Sequence, residues 1–290
     1  MSATVEISRR HLIGGGLAAA AAYIVPGFAQ APVFDVPFVP TPQVVVDEML
    51  RVSGVRAGDL VYDLGSGDGR IVITAARKFG ARGIGVELNE DLVAESEENA
   101  RVANVSDRVK FVRQDFFKTD FSEASVITLY LLPRVMKRLR AQMLELKPGT
   151  RLVAHDFDFD DWRPDAKTTL RKNVYLWVVP AKVAGHWQVR AALPGGEHGF
   201  DLELRQRYQE LDGFARIKGQ PGNAGVWEPR LDGDRIRFTV VDGRDRDNEA
   251  NLYFDGRVAG SRMAGEGVRG VGSEQTRFKW SAISSSRGTQ

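Results

Sequence analysis

Two short apolar segments of this sequence each end in a carboxylate, and a glycine-rich loop follows the first of them. The first segment ends at Asp63 and leads into the loop Gly65-Ser66-Gly67-Asp68-Gly69, while the second ends at Glu87. The apolar run Ile71-Val72-Ile73 that follows the loop is typical of a helix. A strand, a tight glycine turn and a helix N-terminus form a pocket for a ligand that needs close backbone contact. A carboxylate on the adjacent strand suits the ribose hydroxyls of an adenosine-type ligand.

The order of glycines in this loop separates the candidate cofactors. A dinucleotide-binding loop has the pattern G-x-G-x-x-G, but here the glycines alternate from Gly65 to Gly69, and Arg70 stands where the third glycine is expected. Asp63 and Asp68 flank the loop, which makes it a poor setting for a pyrophosphate. S-adenosylmethionine fits better, because it carries a sulfonium and an ammonium and no phosphate. The alternative is a glycine turn that only joins a strand to a helix.

Length and composition bound the class of protein. The 290 residues suggest about two domains, and the 43% hydrophobic content supports a sizeable core. The formal net charge of +2 implies no strong field for nucleic acid or for a membrane surface. The absence of cysteine excludes disulfides, thiolate metal sites and cysteine nucleophiles, and it leaves the redox compartment open.

The N-terminal segment indicates export. Arg9 and Arg10 precede the short, weakly apolar run Leu12 to Val25, and Ala29-Gln30-Ala31 has the small-x-small pattern of a signal-peptidase site. These features resemble a bacterial twin-arginine signal. The apolar run is short for a membrane span. We therefore predict a signal peptide at residues 1–31 and a periplasmic location. The alternatives are a cytoplasmic protein and one anchored to the membrane by an uncleaved signal.

Residues 32–180 show the alternation of an α/β domain with a parallel sheet. Short apolar strands alternate with amphipathic helices, as in βαβ units. Thr41 is predicted to cap the first helix, with Pro42 at its first position. The predicted helices span residues 43–52, 70–79, 91–103 and 134–146, and the predicted strands span residues 59–63, 83–87, 109–114, 125–130 and 150–156.

Residues 181–290 are β-rich, and no convincing helix follows Pro180. Segments such as Phe200–Leu204 and Ile236–Val240 alternate apolar and charged residues, as in an antiparallel sheet with one solvated face. We expect a β-meander, either a small barrel or a sandwich, closed by His186-Trp187 near its start and Lys279-Trp280 near its end. This region carries no catalytic pattern. A module that only packs explains it at least as well as one that binds a substrate or a partner. Its predicted turns are Asp212-Gly213, Asp232-Gly233, Asp242-Gly243 and Asp255-Gly256.

The segment from Val36 to Trp177 resembles the class I S-adenosylmethionine-dependent methyltransferases. More narrowly, it is similar to the seven-strand lysine methyltransferases that include the enzymes of the mitochondrial ATP synthase c-ring protein and of adenine nucleotide translocase, and their bacterial relatives. This resemblance implies a Rossmann-like seven-strand sheet. The matching stretches are Val36-Pro37-Phe38-Val39-Pro40-Thr41-Pro42, residues 63–73, Gly85-Val86-Glu87-Leu88-Asn89, Leu129-Tyr130-Leu131-Leu132-Pro133 and Phe159-Asp160-Asp161-Trp162-Arg163-Pro164.

The resemblance also implies a set of cofactor-binding residues. Asp63, Gly65 and Gly67 would hold the methionine part of S-adenosylmethionine, and Glu87 would accept from both ribose hydroxyls. Further along the chain, the adenine amino group would donate to Asp115, Phe116 would stack on the ring, and Thr41 would close over the cofactor. Each of the last three has a simpler alternative: a strand-end cap for Asp115, a core residue for Phe116 and a helix cap for Thr41.

The methyl acceptor is expected beyond the carboxyl ends of the strands. Tyr130 ends the fourth strand, and His155 and Asp156 end the fifth. Many amino methyltransferases carry an Asn/Asp-Pro-Pro-aromatic motif at the position that Leu129-Tyr130-Leu131-Leu132-Pro133 occupies here, and its absence argues against adenine or glutamine as the acceptor. We expect Tyr130 to orient the acceptor amine and Asp156 to draw off charge. His155 is expected either to take part in proton transfer or to be a hydrogen-bonded core residue.

Three functions remain open from the sequence. The first is methylation of a protein lysine, in a substrate that is an envelope or membrane protein. The second is methylation of a small metabolite, with the β-rich region covering the pocket. The third is an exported, non-catalytic module that binds S-adenosylmethionine, its demethylated product or another nucleoside. The third draws support from the predicted export, because S-adenosylmethionine is made in the cytoplasm. The sequence leaves the oligomeric state open.

Overall fold

The structure is a computed structural model, and it describes residues 38–169, 172–219, 221–241, 251–270 and 275–285. The predicted signal peptide at residues 1–31 and the predicted turn Asp242-Gly243 lie outside these ranges. Among the described residues, no helix combines the length and apolarity needed to cross a bilayer.

The first part of the chain forms a mixed seven-stranded sheet with the strand order β3-β2-β1-β4-β5-β7-β6. Strands β1 to β5 are parallel, whereas β7 runs antiparallel to β5 and to β6. This arrangement confirms the predicted Rossmann-like methyltransferase sheet. The helices are α1 (Gln43–Val52), α2 (Arg70–Phe79), α3 (Glu90–Val102) and α4 (Pro133–Leu144), and the strands are β1 (Leu60–Leu64), β2 (Arg82–Glu87), β3 (Val109–Arg113), β4 (Val126–Leu129), β5 (Arg151–His155), β6 (Ala166–Thr169) and β7 (Asn173–Val178).

Both faces of this sheet are covered, which explains why its central strands are almost wholly apolar. Helices α1, α2 and α3 bury one apolar face, for example through Met49 and Val72. Helix α4 buries the opposite face through Met136 and Leu139. The central strands are therefore held rigidly, and the loops at their carboxyl ends are positioned by a packed core on each side.

The β-rich region is a closed eight-stranded antiparallel barrel, so the barrel alternative is confirmed. Strand β15 pairs with β8, with Trp280 opposite Ala191 and Ser284 opposite Trp187, which confirms the predicted closure. The chain passes from one sheet to the other between Val178 and Gly185, while the domain boundary at residue 180 stays a prediction. The strands are β8 (Gly185–Leu193), β9 (Gly196–Arg207), β10 (Glu210–Ile217), β11 (Ala224–Asp232), β12 (Arg235–Val241), β13 (Leu252–Ala259), β14 (Arg262–Arg269) and β15 (Thr276–Ser284).

Two of the predicted barrel turns are wrong. Asp232-Gly233 does join β11 to β12, but Asp212-Gly213 lies inside β10 and Asp255-Gly256 lies inside β13. In both strands the glycine allows close packing rather than a turn. A Cβ on Gly213 would lie 2.2 Å from the Glu203 carbonyl oxygen, and a Cβ on Gly256 would lie 2.5 Å from a ring carbon of Trp280.

The predicted cap of the first helix is also wrong. Pro42 occupies the cap position of α1, no described side chain caps the helix, and the first turn is closed by the bond from Val45 N to Pro42 O (2.8 Å). The side chain of Thr41 is instead buried, with its Oγ1 3.4 Å from His155 Nδ1. Thr41 therefore faces the carboxyl edge of the sheet.

Candidate active site

The glycine loop after β1 is fixed by backbone hydrogen bonds and by glycine-only conformations. The amides of Gly65 and Ser66 both donate to Val86 O, at 2.8 and 3.1 Å. Gly65, Gly67 and Gly69 have φ angles of 77°, 52° and 77°, which other residues adopt at a cost. A Cβ on Gly67 would lie 2.1 Å from the Phe38 ring, because that ring already occupies the space beside Gly67. The loop is thus held in one conformation, with Phe38 packed against it.

Asp63 places a buried carboxylate beside this loop. Asp63 is 3% exposed, and Thr128 Oγ1 donates a hydrogen bond to Asp63 Oδ1 at 2.6 Å. Burial raises the pKa of Asp63, the Thr128 hydrogen bond lowers it, and the charges of Glu87 and Asp68 raise it, which together bring the pKa to about 7. An ammonium bound at this position would favour the ionised carboxylate, so the site suits a cationic group.

Glu87 connects the second strand to the same loop. Its Oε2 accepts from Gly67 N at 3.0 Å, while Oε1 accepts from Leu88 N and Asn89 N at 2.8 and 2.9 Å. These three amides fix the carboxylate at the tip of β2. The predicted role of Glu87, accepting from ribose hydroxyls, requires a carboxylate held in this place.

Asp68, in contrast, is neutralised within the protein. Arg70 Nε donates to Asp68 Oδ1 at 2.9 Å, and Arg70 Nη1 also donates to Thr41 O at 2.9 Å. Arg70 therefore ties the glycine loop to the segment that precedes α1. Of the two acids beside the loop, Asp63 is the one without a cationic partner among the described residues.

The structure gives Asp115 and Phe116 the simpler roles and leaves their cofactor roles as predictions. Asp115 caps the short 3₁₀ turn Phe116–Lys118, because its Oδ1 accepts from Phe117 N at 2.9 Å. The ring of Phe116 lies 4.8 Å from that of Phe117 and packs against the core. Both residues follow β3, the neighbour of the strand that ends in Glu87, so they remain on the side where the adenine is expected.

The predicted acceptor residues lie together at the carboxyl edge. Leu64 at the end of β1 pairs with Leu129 at the end of β4, and Leu129 pairs with Ala154 of β5. The next residue of each segment, namely Gly65, Tyr130 and His155, therefore lies beside the others at this edge of the sheet. Two strand spacings separate the loop from His155, which corresponds to about 10 Å. The rings of Tyr130 and His155 stack at 3.9 Å with an interplanar angle of 29°. Phe157 extends the stack, 6.2 Å from Tyr130 at 14°.

His155 is a buried imidazole with one unpaired nitrogen. It is 1% exposed, and its Nε2 has no hydrogen-bond partner among the described residues. Burial lowers the pKa of His155, the charge of Asp156 opposes this, and Lys172 adds to it. The imidazole is therefore neutral at pH 7, and Nε2, 4.0 Å from Asp156 Oδ2, is available to accept a proton.

Asp156 is the charged member of this cluster. It adopts φ 63°, its amide donates to Asn173 O at 2.8 Å, and its Oδ2 accepts from Lys172 Nζ at 2.7 Å. Burial raises the pKa of Asp156, but the Lys172 hydrogen bond and the neighbouring His155 and Lys172 lower it to below its ordinary value. The same hydrogen bond raises the pKa of Lys172. A lysine ammonium and a carboxylate thus face each other beside the aromatic stack.

Sequence reasoning missed four residues of this edge. Thr128 is a single polar residue in an apolar strand, and Phe157 follows the two predicted acceptor residues, so both had a weak signal. Phe38 lies in the proline-flanked segment, and its position over Gly67 depends on the fold. Lys172 had no signal, because it reaches Asp156 only through the pairing of β5 with β7. Within the described ranges, no group of three acidic or histidine side chains is placed to hold a metal ion.

Comparisons with known proteins identify the family of the α/β region. The family model of the ANTKMT methyltransferase domain matches residues 63–166. A protein-lysine N-methyltransferase of Saccharolobus islandicus is 42% identical over 151 residues, which cover 50% of this chain and 94% of the relative. The mouse adenine nucleotide translocase lysine N-methyltransferase is 36% identical over 159 residues, covering 53% of this chain and 69% of the relative.

A solved structure matches the same share of the chain. The RNA methyltransferase from Salinibacter ruber, in complex with S-adenosyl-L-homocysteine, is 52% identical and covers 50% of this chain and 96% of its own, with a TM-score of 0.49. These matches span about half of the chain, and the family model ends before the first strand of the barrel.

Proposed function

This chain belongs to the family of S-adenosylmethionine-dependent lysine methyltransferases with an ANTKMT methyltransferase domain, and we propose that it methylates the side-chain amine of a lysine in a protein substrate. The observation that carries the proposal is the cluster at the ends of β4 and β5. There a carboxylate, Asp156, already binds a lysine ammonium beside the Tyr130–His155 stack. The cluster therefore has the size and charge to hold the side chain that relatives of this family modify.

The residues of the glycine loop fit S-adenosylmethionine. The cofactor supplies an activated methyl group on a sulfonium. Asp63 offers a buried carboxylate that no described cation neutralises, Gly65 and Gly67 leave the backbone of the loop without side chains, and Glu87 presents a fixed carboxylate. We assign Asp63, Gly65 and Gly67 to the methionine end and Glu87 to the ribose, as the sequence predicted.

The acceptor residues have complementary tasks. A lysine amine has an ordinary pKa of about 10.4, so it must lose a proton before it can act as a nucleophile. Asp156 binds and orients the incoming ammonium, and the ring of Tyr130 limits its position. His155, which is neutral and whose Nε2 no described residue occupies, accepts the proton. Positioning of the amine opposite the methyl supplies most of the rate enhancement, on the order of 7–11 kcal/mol in the best model systems.

The test uses cofactor labelled in its methyl group. Purified enzyme is incubated with labelled S-adenosylmethionine and a protein extract of the host, and the protein and small-molecule fractions are separated and hydrolysed. We expect label in methyllysine from the protein fraction, and none with Glu87→Ala. Label confined to small molecules would contradict the proposal and favour a metabolite methyltransferase. Bound cofactor without transfer to either fraction would favour a non-catalytic binding module.

We further propose that the enzyme is exported and acts on an envelope or membrane protein. Support comes from Arg9-Arg10, the short apolar run and the Ala29-Gln30-Ala31 motif, all of which lie outside the described residues. Twin-arginine export moves folded proteins, so cofactor bound in the cytoplasm can travel with the enzyme, although one bound molecule permits one turnover. N-terminal sequencing of the protein from its host should begin after Ala31. An intact Met1 or Ser2 would contradict export and favour a cytoplasmic or anchored enzyme.

A further inference from the structure

Lys172 lies where the proposed function places the substrate lysine. Its Nζ is 2.7 Å from Asp156 Oδ2, and that same oxygen is 4.0 Å from His155 Nε2. Tyr130 stacks on the imidazole on the same edge of the sheet. One of the three residues predicted to act on the acceptor amine therefore binds an ammonium of the protein itself, and the other two lie next to that residue.

The side chain of Lys172 is 53% exposed, and its ion pair differs from the other lysine pairs in how far its carboxylate is buried. Other lysines among the described residues pair with carboxylates that are well exposed, such as Glu145 at 69% and Asp160 at 65%, whereas Asp156 is 18% exposed. The backbone holds the two partners in register, because Asp156 N donates to the carbonyl oxygen of Asn173, the residue after Lys172. Pairing of β5 with β7 thus directs Lys172 to the acceptor cluster.

We propose that Lys172 is an internal methyl acceptor of this enzyme, an inference that rests on the proposed function. After Nζ loses a proton to solvent, its lone pair forms a bond to the methyl carbon of S-adenosylmethionine. The bond between that carbon and sulfur breaks, and its electron pair stays on sulfur as neutral S-adenosylhomocysteine. The product is a methylated ammonium that keeps its positive charge beside Asp156.

The first measurement is the covalent state of Lys172. Enzyme as isolated from its host, and enzyme incubated with S-adenosylmethionine alone, are mapped by peptide mass spectrometry. We expect mass increases in methyl increments on the peptide that contains Lys172. Lys172→Arg, which keeps the positive charge, should abolish them. Lys167→Arg, which replaces an exposed lysine on β6, should leave the methylation of Lys172 in place.

A second measurement tests the placement without any turnover. The unliganded enzyme is treated with an amine-acylating reagent, and the reaction rates of Lys172 and Lys167 are compared. We expect Lys172 to react more slowly because Asp156 holds its ammonium, and Asp156→Asn should remove the difference. Equal rates in the unchanged enzyme would overturn the proposed placement.

The reaction is expected to occur within one molecule. Lys172→Arg enzyme whose activity on host protein has been verified is mixed, at a low concentration of S-adenosylmethionine, with Glu87→Ala protein, which retains Lys172 and is expected to bind the cofactor weakly. Methylation of Lys172 in the Glu87→Ala protein would show that the methyl group is transferred between molecules. That result would overturn the proposal that Lys172 is methylated in its position beside Asp156 of the same molecule. Its absence, with methylation of Lys172 in unmixed wild-type enzyme, would support the assignment.

Failure of this inference and failure of the proposed function give different results. Methyllysine in host proteins with an unmodified Lys172 would overturn the inference and leave the proposed function in place. No methyllysine in any protein, Lys172 included, would overturn both.

Discussion

The loop after β1 and two strands of the barrel use glycine for different purposes, and they differ in the buried polar groups around them. Around the loop after β1, glycines adopt positive φ angles, and the nearby buried side chains include an acid and an imidazole, Asp63 and His155. In the barrel, Gly213 and Gly256 lie inside strands without positive φ, and their neighbours are backbone and aromatic rings. Glycine permits the positive φ angles of the loop in the first case, and it lets neighbouring groups approach the strand closely in the second.

The difference indicates where the chain keeps energetically costly features. Burying a polar or ionisable group without full compensation costs stability, so such groups are retained mainly where a ligand uses them. Among the described residues, Asp63 has no cationic partner and His155 Nε2 has no hydrogen-bond partner. Both groups lie at the carboxyl edge of the sheet. The barrel core is built largely from apolar and aromatic side chains such as Phe238, Phe254 and Trp280. We therefore expect the chemistry to depend on the first region and the barrel to contribute stability.

The largest expected effect is on turnover, from Asp156→Asn. This change keeps the shape of the side chain but removes the charge that binds the acceptor amine, and we expect turnover to fall about a hundredfold, within the usual range for groups that assist proton transfer. Steady-state methylation of a protein acceptor measures it, with cofactor affinity measured alongside.

The matched control for this change lies on the barrel. Asp255 pairs with Arg235 at an exposed position on the barrel, so Asp255→Asn makes the same substitution in an ion pair outside the acceptor cluster. We expect Asp255→Asn to keep turnover. Full turnover in Asp156→Asn, or an equal loss in both variants, would contradict the division of roles.

A pair of glycine substitutions sharpens the comparison. In Gly213→Val the new Cβ would lie 2.2 Å from a backbone oxygen, so we expect a loss of about 1–3 kcal/mol in the free energy of unfolding, with unchanged cofactor affinity of the folded protein. In Gly67→Ala the Cβ would meet the Phe38 ring and the residue would keep φ 52° at a cost, so the loop must shift and we expect cofactor affinity to fall.

Thermal unfolding and calorimetric titration of both variants distinguish the two uses of glycine. The expected pattern is a lower Tm without an affinity change for Gly213→Val, and weaker binding for Gly67→Ala. A barrel variant that is folded but cannot bind S-adenosylmethionine would show that the barrel takes part in the cofactor site.

A smaller effect is expected from pH. Because the pKa of Asp63 is raised from 3.8 to about 7, its carboxyl group is largely protonated below pH 7 and must release a proton to pair with the cofactor's ammonium. Cofactor affinity should rise by up to about tenfold per pH unit as the pH approaches 7 and should level off above it. Titrations from about pH 5.5 to pH 7.5 measure this, since they span the raised pKa.

The stability of the unliganded protein should follow the opposite trend. A raised pKa in the folded state gives a stabilising contribution that is present below the unfolded value of 3.8 and is lost as the pH rises through about 7.

Asp63→Asn should remove the pH dependence of binding. An unchanged dependence in this variant would show that another group controls it.

The sheet was predictable because local and global signals agree. The bounds of α1 and α2 match the predicted residues, since amphipathic runs with a glycine or proline at their ends define a helix without reference to the rest of the fold. The positions of Asp63 and Glu87 at adjacent strand tips followed from the βαβ pattern.

The barrel turns and part of the site were not predictable, because they depend on contacts between distant residues. Asp212-Gly213 and Asp255-Gly256 have the sequence of a turn, yet strand packing in the closed barrel requires a glycine there. Thr41 has the sequence of a helix cap, but it turns to His155. Lys172 reaches the acceptor cluster only through an antiparallel strand pair that local sequence does not specify.

The most direct test of the central claim is calorimetric titration of the chain that begins after Ala31 with S-adenosylmethionine and with S-adenosylhomocysteine. We predict dissociation constants on the order of micromolar for the unchanged protein. Glu87→Ala should weaken binding by about a hundredfold, because two hydrogen bonds to a charged acceptor are lost, whereas the barrel control Glu266→Ala should bind normally. Absence of binding of either ligand to the folded, unchanged protein would contradict the account.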